Sequence, residues 1–294
     1  MSEVLILDGK KAKEFFIGKL KEKVLALSVV PKLVILQIGD KSESNAYINA
    51  KIKFGELIGI KVLYIKFKEE VTFDEIRDVV EKFNKDSEVG GIILQLPVPD
   101  RFQKQDLLDL IDPKKDVDGL SSFSRIERGA DRYAPIPATA RGVEELLSFY
   151  KIDIKNKKIA VLGRSVLAGG PIAENLALKG GVVTVCHSKT VDEEKITIGS
   201  DIVVVAIGKP NFVDAKFFKN DGSQVVVDVG INRTSGGITE KMNEEVVTKI
   251  VGDVNFFEVK DIVKAISPVP GGVGQMTVLA LFENLIDLST FNKK

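Results

Sequence analysis

The sequence predicts an α/β protein of two domains, each built on a mainly parallel sheet. Three observations predict it. Apolar runs of strand length alternate with stretches of helical periodicity through both halves of the chain, which implies right-handed crossovers and parallel strands. The length of 294 residues suits roughly two domains of ordinary size. Hydrophobic residues at 44% and charged residues at 29% match a soluble globular chain with a sizeable core.

The elements follow in order. Lys10 to Leu27 carries Phe15, Phe16, Leu20, Val24 and Leu27 as a helical stripe. Leu33-Val-Ile-Leu-Gln-Ile38 reads as a buried strand, and Gly39 and Asp40 turn the chain after it. Asp40 with Glu43 has the spacing of a capping box for a helix running to about Ile58. Ser44, Tyr47 and Lys51 stack on one face of that helix, at i, i+3 and i+7. Two readings stand open for them: a solvated face, or a ligand wall at the carboxyl end of a strand, where open α/β sheets bind ligands. Lys61 to Lys66 is a further strand. Phe73, Ile76, Val79, Val80 and Phe83 mark a helix, and Gly91 to Leu96 is a strand closed by Pro97 and Pro99. Gln95 is a buried amide in that apolar run; it either bonds local backbone or orients Lys51. Asp116, Asp118 and Gly119 resemble a turn, and Ser121 to Pro137 shows no periodicity and reads as loop. Thr139 caps an expected helix from Arg141 to Tyr150, which marks the domain boundary.

The second half opens with the strand Lys157 to Gly163. Arg164, Ser165, Gly169, Gly170 and Pro171 follow, and a helix is expected from Ile172 to Lys179. A strand, a glycine-bearing turn and a helix start can seat a phosphate on free backbone amides, although the G-x-G-x-x-G spacing is absent. Val182 to Val185 is the next strand. In a dinucleotide-binding half its end meets the adenosine ribose, and Ser188 in place of an acid, with Arg164 in the first loop, leans toward NADP over NAD. The strands Asp201 to Ile207 and Gln224 to Val229 end in Gly208 and Gly230 at the same edge. This half reads as a Rossmann-like domain. Ser267 to Thr277, with Pro268, Pro270, Gly271, Gly272 and Gly274, forms a loop whose backbone approaches a ligand or acts as a stiff hinge. Val278 to Leu288 is apolar on most faces and is expected as a buried terminal helix.

Composition excludes some functions. Forty-two basic residues balance forty-two acidic ones, so no overall field favours nucleic acid or an anionic membrane. The single cysteine, Cys186, excludes an intrachain disulfide and fits a reducing compartment; its neighbour His187 points to the opposite strand face, which argues against a Cys–His dyad. The amino terminus lacks the pattern of a signal peptide, no run reaches the length of a membrane span, and a cytoplasmic protein is expected.

Five stretches, in register over nearly the whole chain, resemble the bifunctional methylenetetrahydrofolate dehydrogenase/methenyltetrahydrofolate cyclohydrolases. They are Ser44-Asn-Ala-Tyr47 with Lys51, Leu94-Gln-Leu-Pro97, Lys115-Asp-Val-Asp-Gly119, Gly163-Arg-Ser165 with Gly169 and Pro171, and Pro268-Val-Pro-Gly-Gly-Val-Gly274. The sequence departs from the family pattern at Ala138, Ala140, Ala168 and Gln275; Ala140 lacks the fixed φ of a first-turn proline. The resemblance implies a folate-binding catalytic domain over 1–138, completed by the helix 276–294, and a Rossmann-like NADP-binding domain over 139–275, with a cleft between them. It implies oxidation of methylenetetrahydrofolate with NADP, NAD being possible, and hydrolysis of the methenyl product. Alternatives are a dehydrogenase that lacks the hydrolase and a non-catalytic folate- or nucleotide-binding relative. By the same resemblance Lys51, Tyr47 and Gln95 are catalytic, and Ser44, Tyr47, Asp118, Pro270, Gly271 and Gly272 bind substrate. Gly163, Arg164, Ser165, Gly169, Ser188, Gly208, Gly230 and Ile231 bind cofactor. No metal is expected, and a homodimer is.

Overall fold

The computed structural model describes residues 3–129, 134–235 and 248–291. In chain order its elements begin with β1 (Leu5–Ile6), α1 (Gly9–Leu25), β2 (Lys32–Ile38), α2 (Ser42–Ile58), β3 (Val62–Phe67), α3 (Phe73–Lys85), β4 (Val89–Leu94), α4 (Lys104–Leu108), α5 (Ser122–Gly129) and α6 (Ala138–Phe149). They continue with β5 (Lys158–Leu162), α7 (Gly169–Leu178), β6 (Val182–Cys186), α8 (Glu193–Ile198), β7 (Ile202–Val205), β8 (Val225–Asp228), β9 (Asn232–Ser235), β10 (Thr248–Val251), α9 (Phe256–Val259), β11 (Ala265–Ile266) and α10 (Val273–Phe291). The chain divides into two units, Glu14–Ala138 with Val278–Lys294, and Met1–Lys13 with Thr139–Thr277. No described helix is long and apolar enough to cross a membrane.

The first unit holds a parallel sheet in the order β3-β2-β4. Central β2 is covered on both faces, so Leu33, Val34, Ile35 and Leu36 are all fully buried and the strand reads as one apolar run. The chain passes to one side of β2 for β3 and to the other for β4, which makes its carboxyl end a point of reversal, the place such sheets offer to ligands. α3 shows how sequence sets a helix here. Thr72 and Glu75 form a capping box, and Ile76, Val80 and Phe83 turn one stripe into the core. The carboxyl-terminal helix belongs to this unit from Val278 onward: the Phe282 ring lies 5.2 Å from that of Phe54, and Asn284 donates to the carbonyls of Val117 and Ile136 at 2.8 Å.

The second unit holds a six-stranded parallel sheet in the order β1-β11-β8-β7-β5-β6. The Rossmann-like expectation is met by β6, β5, β7 and β8, whose order again reverses at β5. The core on one face gathers Ala160, Leu162, Val203, Val205, Phe217, Val226 and Ile266. The amino terminus departs from the domain expected over 1–138. Leu5 and Leu7 donate backbone N–H groups to Lys264 and Ile266, and β1 pairs with β11. Residues 1–13 therefore group with the second unit.

Three local expectations are corrected. The segment read as loop from Ser121 contains α5, which polar contacts hold in place of an apolar stripe: Asp116 accepts from the Ser121 N–H at 2.9 Å and from Ser124 Oγ at 2.7 Å. Thr139 does not cap α6 but lies within it, since the helix starts at Ala138. Ala140 is buried in the first turn of that helix. At α2 the N-cap is Lys41, without a side-chain cap bond. Asp40 turns instead to Lys66 Nζ at 2.7 Å and Asn45 Nδ2 at 2.8 Å. The Glu43 side chain lies outside the described ones.

Candidate active site

The reversal at the carboxyl end of β2 gathers the first cluster. Gly39, at φ +77°, releases the chain from β2 into α2, and Gly59, at φ +82°, ends that helix in the left-handed conformation glycine favours. On the helix, Ser44 is 2% exposed, Tyr47 37% and Lys51 8%. The solvated-face reading thus fails for Ser44 and Lys51 and survives only for part of Tyr47. Lys51 Nζ donates to Gln95 Oε1 at 2.9 Å. Gln95 Nε2 donates to the Leu96 carbonyl at 2.8 Å, and its backbone N–H to Leu36 at 2.8 Å. Both alternatives for Gln95 hold at once: local backbone takes its donor and leaves its acceptor aimed at the amine.

Asp118 is the third member. Burial pushes its carboxyl up to about 6, Lys51 pulls it down, and Asp116 raises it further. Burial likewise lowers the proton affinity of the Lys51 amine, and the Asp118 charge opposes that fall. The result is an amine and a carboxyl that are each shifted toward the uncharged form, the direction in which a site prepares groups for proton transfer. Asp116 is fully turned to structure: besides Ser121 and Ser124 it accepts from the Gly119 N–H at 3.0 Å. Gly119 has φ +65°, and a Cβ there would lie 2.6 Å from the Pro135 carbonyl oxygen. Arg128 closes the same turn, donating to the carbonyls of Gly119 at 3.1 Å and Pro135 at 2.6 Å. Neither Arg128 nor the Ser121–Ser124 pair was legible in the sequence, because they meet Asp116 and Gly119 only after α5 folds back.

The second cluster lies at the ends of β5 to β8. Gly163 has φ +108°, and a Cβ on it would stand 2.1 Å from the Ala206 carbonyl oxygen, so the loops after β5 and β7 touch backbone to backbone. A Cβ on Gly169 would stand 2.2 Å from the Gly163 carbonyl oxygen. α7 starts at Gly169 behind Ala168, which supplies no side-chain cap; Pro171 has no N–H and the Gly170 N–H is taken by the Ser165 carbonyl, which leaves the Gly169 amide to face an anion. Arg164 and Ser165 are exposed in the turn before it. Ser165 shapes that turn by accepting from the Ala168 N–H at 3.2 Å and, through its carbonyl, from Gly170 at 3.0 Å. Ser188 sits exposed at the tip of the turn after β6, which the Thr190 N–H closes on the His187 carbonyl at 2.7 Å. Cys186 is buried and its thiol is pushed up to about 11, so it is no nucleophile.

Gly208 has φ +78° and open space where a Cβ would go. Its amide, with those of Ile207 and Lys209, donates to the buried carboxylate of Asp253 at 2.6 to 2.9 Å. Gly230 packs on the same carboxylate, where a Cβ would stand 2.1 Å from Asp253 Cγ, and Ile231 beside it is 47% exposed. Asp228 in turn accepts from the amides of Gly230, Asp253 and Val254. These two aspartates, unnoticed in the sequence, hold both strand-end loops from beneath. The only early sign was an acid closing the apolar run Val225 to Asp228. A phosphate-bearing dinucleotide fits this edge: glycines keep it bare of side chains, a helix start faces it, and Arg164 and Ser188 flank it.

The Pro268–Gly274 loop is anchored in the same unit. Ser267 Oγ accepts from the Asp228 N–H at 2.8 Å, and the Gly271 carbonyl accepts from Gly9 at 2.8 Å. A Cβ on Gly9 would stand 2.0 Å from the Gly272 carbonyl oxygen. Pro270 is exposed, Gly271 half-buried at φ +114°, and Gly272 buried.

Comparison with known proteins matches both halves of the chain. Residues 7–118 match the tetrahydrofolate dehydrogenase/cyclohydrolase catalytic domain, and residues 137–293 match the NAD(P)-binding domain of the same family. That second match takes in α10, although its residues from Val278 pack in the catalytic unit. The bifunctional protein FolD of Agathobacter rectalis is 39% identical over 96% of this chain and 98% of its own length. That of Thermodesulfovibrio yellowstonii is 36% identical over 98% of each. Among solved structures, the bifunctional dehydrogenase/cyclohydrolase FolD of Campylobacter jejuni superposes with a TM-score of 0.90 at 35% identity, covering 98% of this chain and 99% of that one. The Trypanosoma brucei enzyme, complexed with NADP cofactor and inhibitor, gives 0.91 at 30% over the whole of both chains. With both domains matched, and relatives alike from end to end, this chain belongs to the tetrahydrofolate dehydrogenase/cyclohydrolase family.

Proposed function

We infer that this chain oxidises methylenetetrahydrofolate with NADP and hydrolyses the methenyl product to formyltetrahydrofolate. The observation that carries the reading is the buried Lys51–Gln95 hydrogen bond beside Asp118. A dehydrogenase alone has no need of a lysine with lowered proton affinity, because the two nitrogens flanking the one-carbon bridge stabilise the cation left by hydride loss. Bound NADP supplies the hydride acceptor. The Gly169 amide at the start of α7, with Gly163, Arg164 and Ser165, holds its phosphates, and Ser188 with Arg164 takes the 2′-phosphate. Gly208, Gly230 and Ile231 bound the nicotinamide side.

Tyr47 forms the platform for the pterin ring, and Asp118 accepts hydrogen bonds from its aminopyrimidine edge. Pro270, Gly271 and Gly272 present backbone to the folate. In the hydrolytic step water adds to the methenyl carbon and one carbon–nitrogen bond breaks, so a proton leaves the water and another reaches the departing nitrogen. Lys51 carries these protons, and the cationic substrate lowers its proton affinity further. Gln95 holds the amine in place, and Ser44 supports the helix start. A cytoplasmic homodimer completes the reading. The edge strand β6 supports the dimer, since Val182 is 59% exposed there and Leu178 of the neighbouring α7 is 73% exposed.

The test mixes purified protein with methylenetetrahydrofolate and NADP or NAD, and follows reduced nicotinamide and methenyl product together. Reduced cofactor with transient methenyl product is expected. No reduction with either nucleotide would refute the dehydrogenase, and stable methenyl product would refute the hydrolase.

A further inference from the structure

α2 carries three proposed site residues, yet it begins behind Lys41 without a side-chain cap. Something else must fix its first turn. Gln37, the one polar side chain in the apolar run of β2 after Lys32, is 1% exposed. A buried amide is costly unless both its ends are satisfied. Here they are: Tyr64 OH, from β3, donates to Gln37 Oε1, and Gln37 Nε2 donates to Asn45 Oδ1 at 3.0 Å. Burial raises the Tyr64 phenol, which keeps its proton on and its donor role intact at neutral pH. Asn45 sits in the first turn of α2, and its Nδ2 reaches back to Asp40 at 2.8 Å.

Asn45 thus ties the helix start to two strands of the sheet, while the Lys51–Gln95 bond ties the same helix to a third strand's end. The two ties lie six residues apart, about 9 Å along the axis. Tyr47 lies between them. A helix held at one point can still rotate and slide; held at two, its face is set to within the tolerance a stacked ligand requires.

We propose that Gln37, Tyr64 and Asn45 form a positioning relay that sets the folate-facing side of α2. It rests on the functional reading above, since it says how that site is held. None of the three touches substrate in this proposal; they act through Tyr47 and Lys51.

The test is the steady-state kinetics of Asn45→Ala and Tyr64→Phe against wild type, with folate and NADP varied separately. Alanine has the higher helix propensity, so Asn45→Ala does not weaken α2 by itself. Tyr64→Phe removes one oxygen and keeps the ring. In both variants the KM for the folate is expected to rise about tenfold while the KM for NADP stays put. The double variant Asp40→Asn with Asn45→Asp, which keeps the acceptor for Gln37 and reverses the 40–45 hydrogen bond without setting two carboxylates together, is expected to recover most of the wild-type folate KM. A merely structural role would lower the active fraction, and so kcat, with both KM values unchanged; that result overturns the relay. That double variant as impaired as Asn45→Ala overturns it too, because the Gln37 contact would then be irrelevant. If wild type itself does not oxidise the folate, the functional reading fails and the relay with it. Active wild type with unaffected variants removes the relay alone.

Discussion

Asp118→Asn exposes the electrostatic cost of the proposed catalytic cluster. The carboxyl titrates near 3.8 in an unfolded chain and at about 6 in the folded protein, chiefly because burial penalises its charge. A raised acid stabilises the fold below the unfolded value, where the proton is bound in both states, relative to the pH above 6, where it is bound in neither. Stability therefore falls as pH rises from about 4 to about 6. The shift is roughly two units, and at 1.36 kcal/mol per unit the full loss is on the order of 3 kcal/mol. Asparagine keeps the shape and has no charge to bury, so the variant lacks this loss. Urea unfolding of both proteins at roughly pH 4.5 and pH 7 measures it. Over that interval wild type should lose about 2 kcal/mol more than Asp118→Asn. The same substitution should raise the folate KM by about 10- to 100-fold, as expected on losing hydrogen bonds to a charged acceptor. Equal pH dependence of stability in the two proteins would refute the argument, whatever happened to binding.

Other predictions are simpler. Lys51→Met should reduce methenyl hydrolysis by about 10²- to 10⁴-fold, the range of a general acid–base group, while folate binding survives; hydrolysis at the wild-type rate, followed by loss of methenyl absorbance, removes Lys51 from the mechanism. Arg164→Ala should weaken NADP about tenfold or more and NAD far less; equal losses in a binding titration would show that Arg164 does not read the 2′-phosphate. Gly163→Ala places a Cβ 2.1 Å from the Ala206 carbonyl oxygen, whereas Gly208→Ala meets nothing within 4 Å. Both residues have positive φ, at a cost of about 1–2 kcal/mol for alanine, but only Gly163→Ala should also displace the strand-end loop and abolish NADP binding. Comparable Tm and NADP affinity in the two variants would contradict that contrast.

What could be read in the sequence, and what could not, divides along the range of the interactions involved. β2 was expected at Leu33–Ile38 and is found at Lys32–Ile38, because a strand buried on both faces writes its own run of apolar residues. β1 has two residues and exists only through pairing with β11, some 260 positions away, so no local pattern announces it. α5 has its large apolar side chains, Phe123 and Ile126, exposed, and its buried side chain is Ser124, which donates to Asp116; a search for a hydrophobic stripe passes over such a helix. At the site the same division holds. Lys51 stands out by sharing one helix face with Ser44 and Tyr47 at i, i+3 and i+7, and Gln95 as a polar residue in an apolar run. Gln37 breaks the pattern of β2 in the same way, within a run that was read simply as a strand. Asp228 and Asp253 support the Gly208 and Gly230 loops through bonds to backbone amides, which any sequence supplies. An oddity within one element is legible by itself; the partner that satisfies it, being distant in the chain, becomes visible only when the sheet brings the two together.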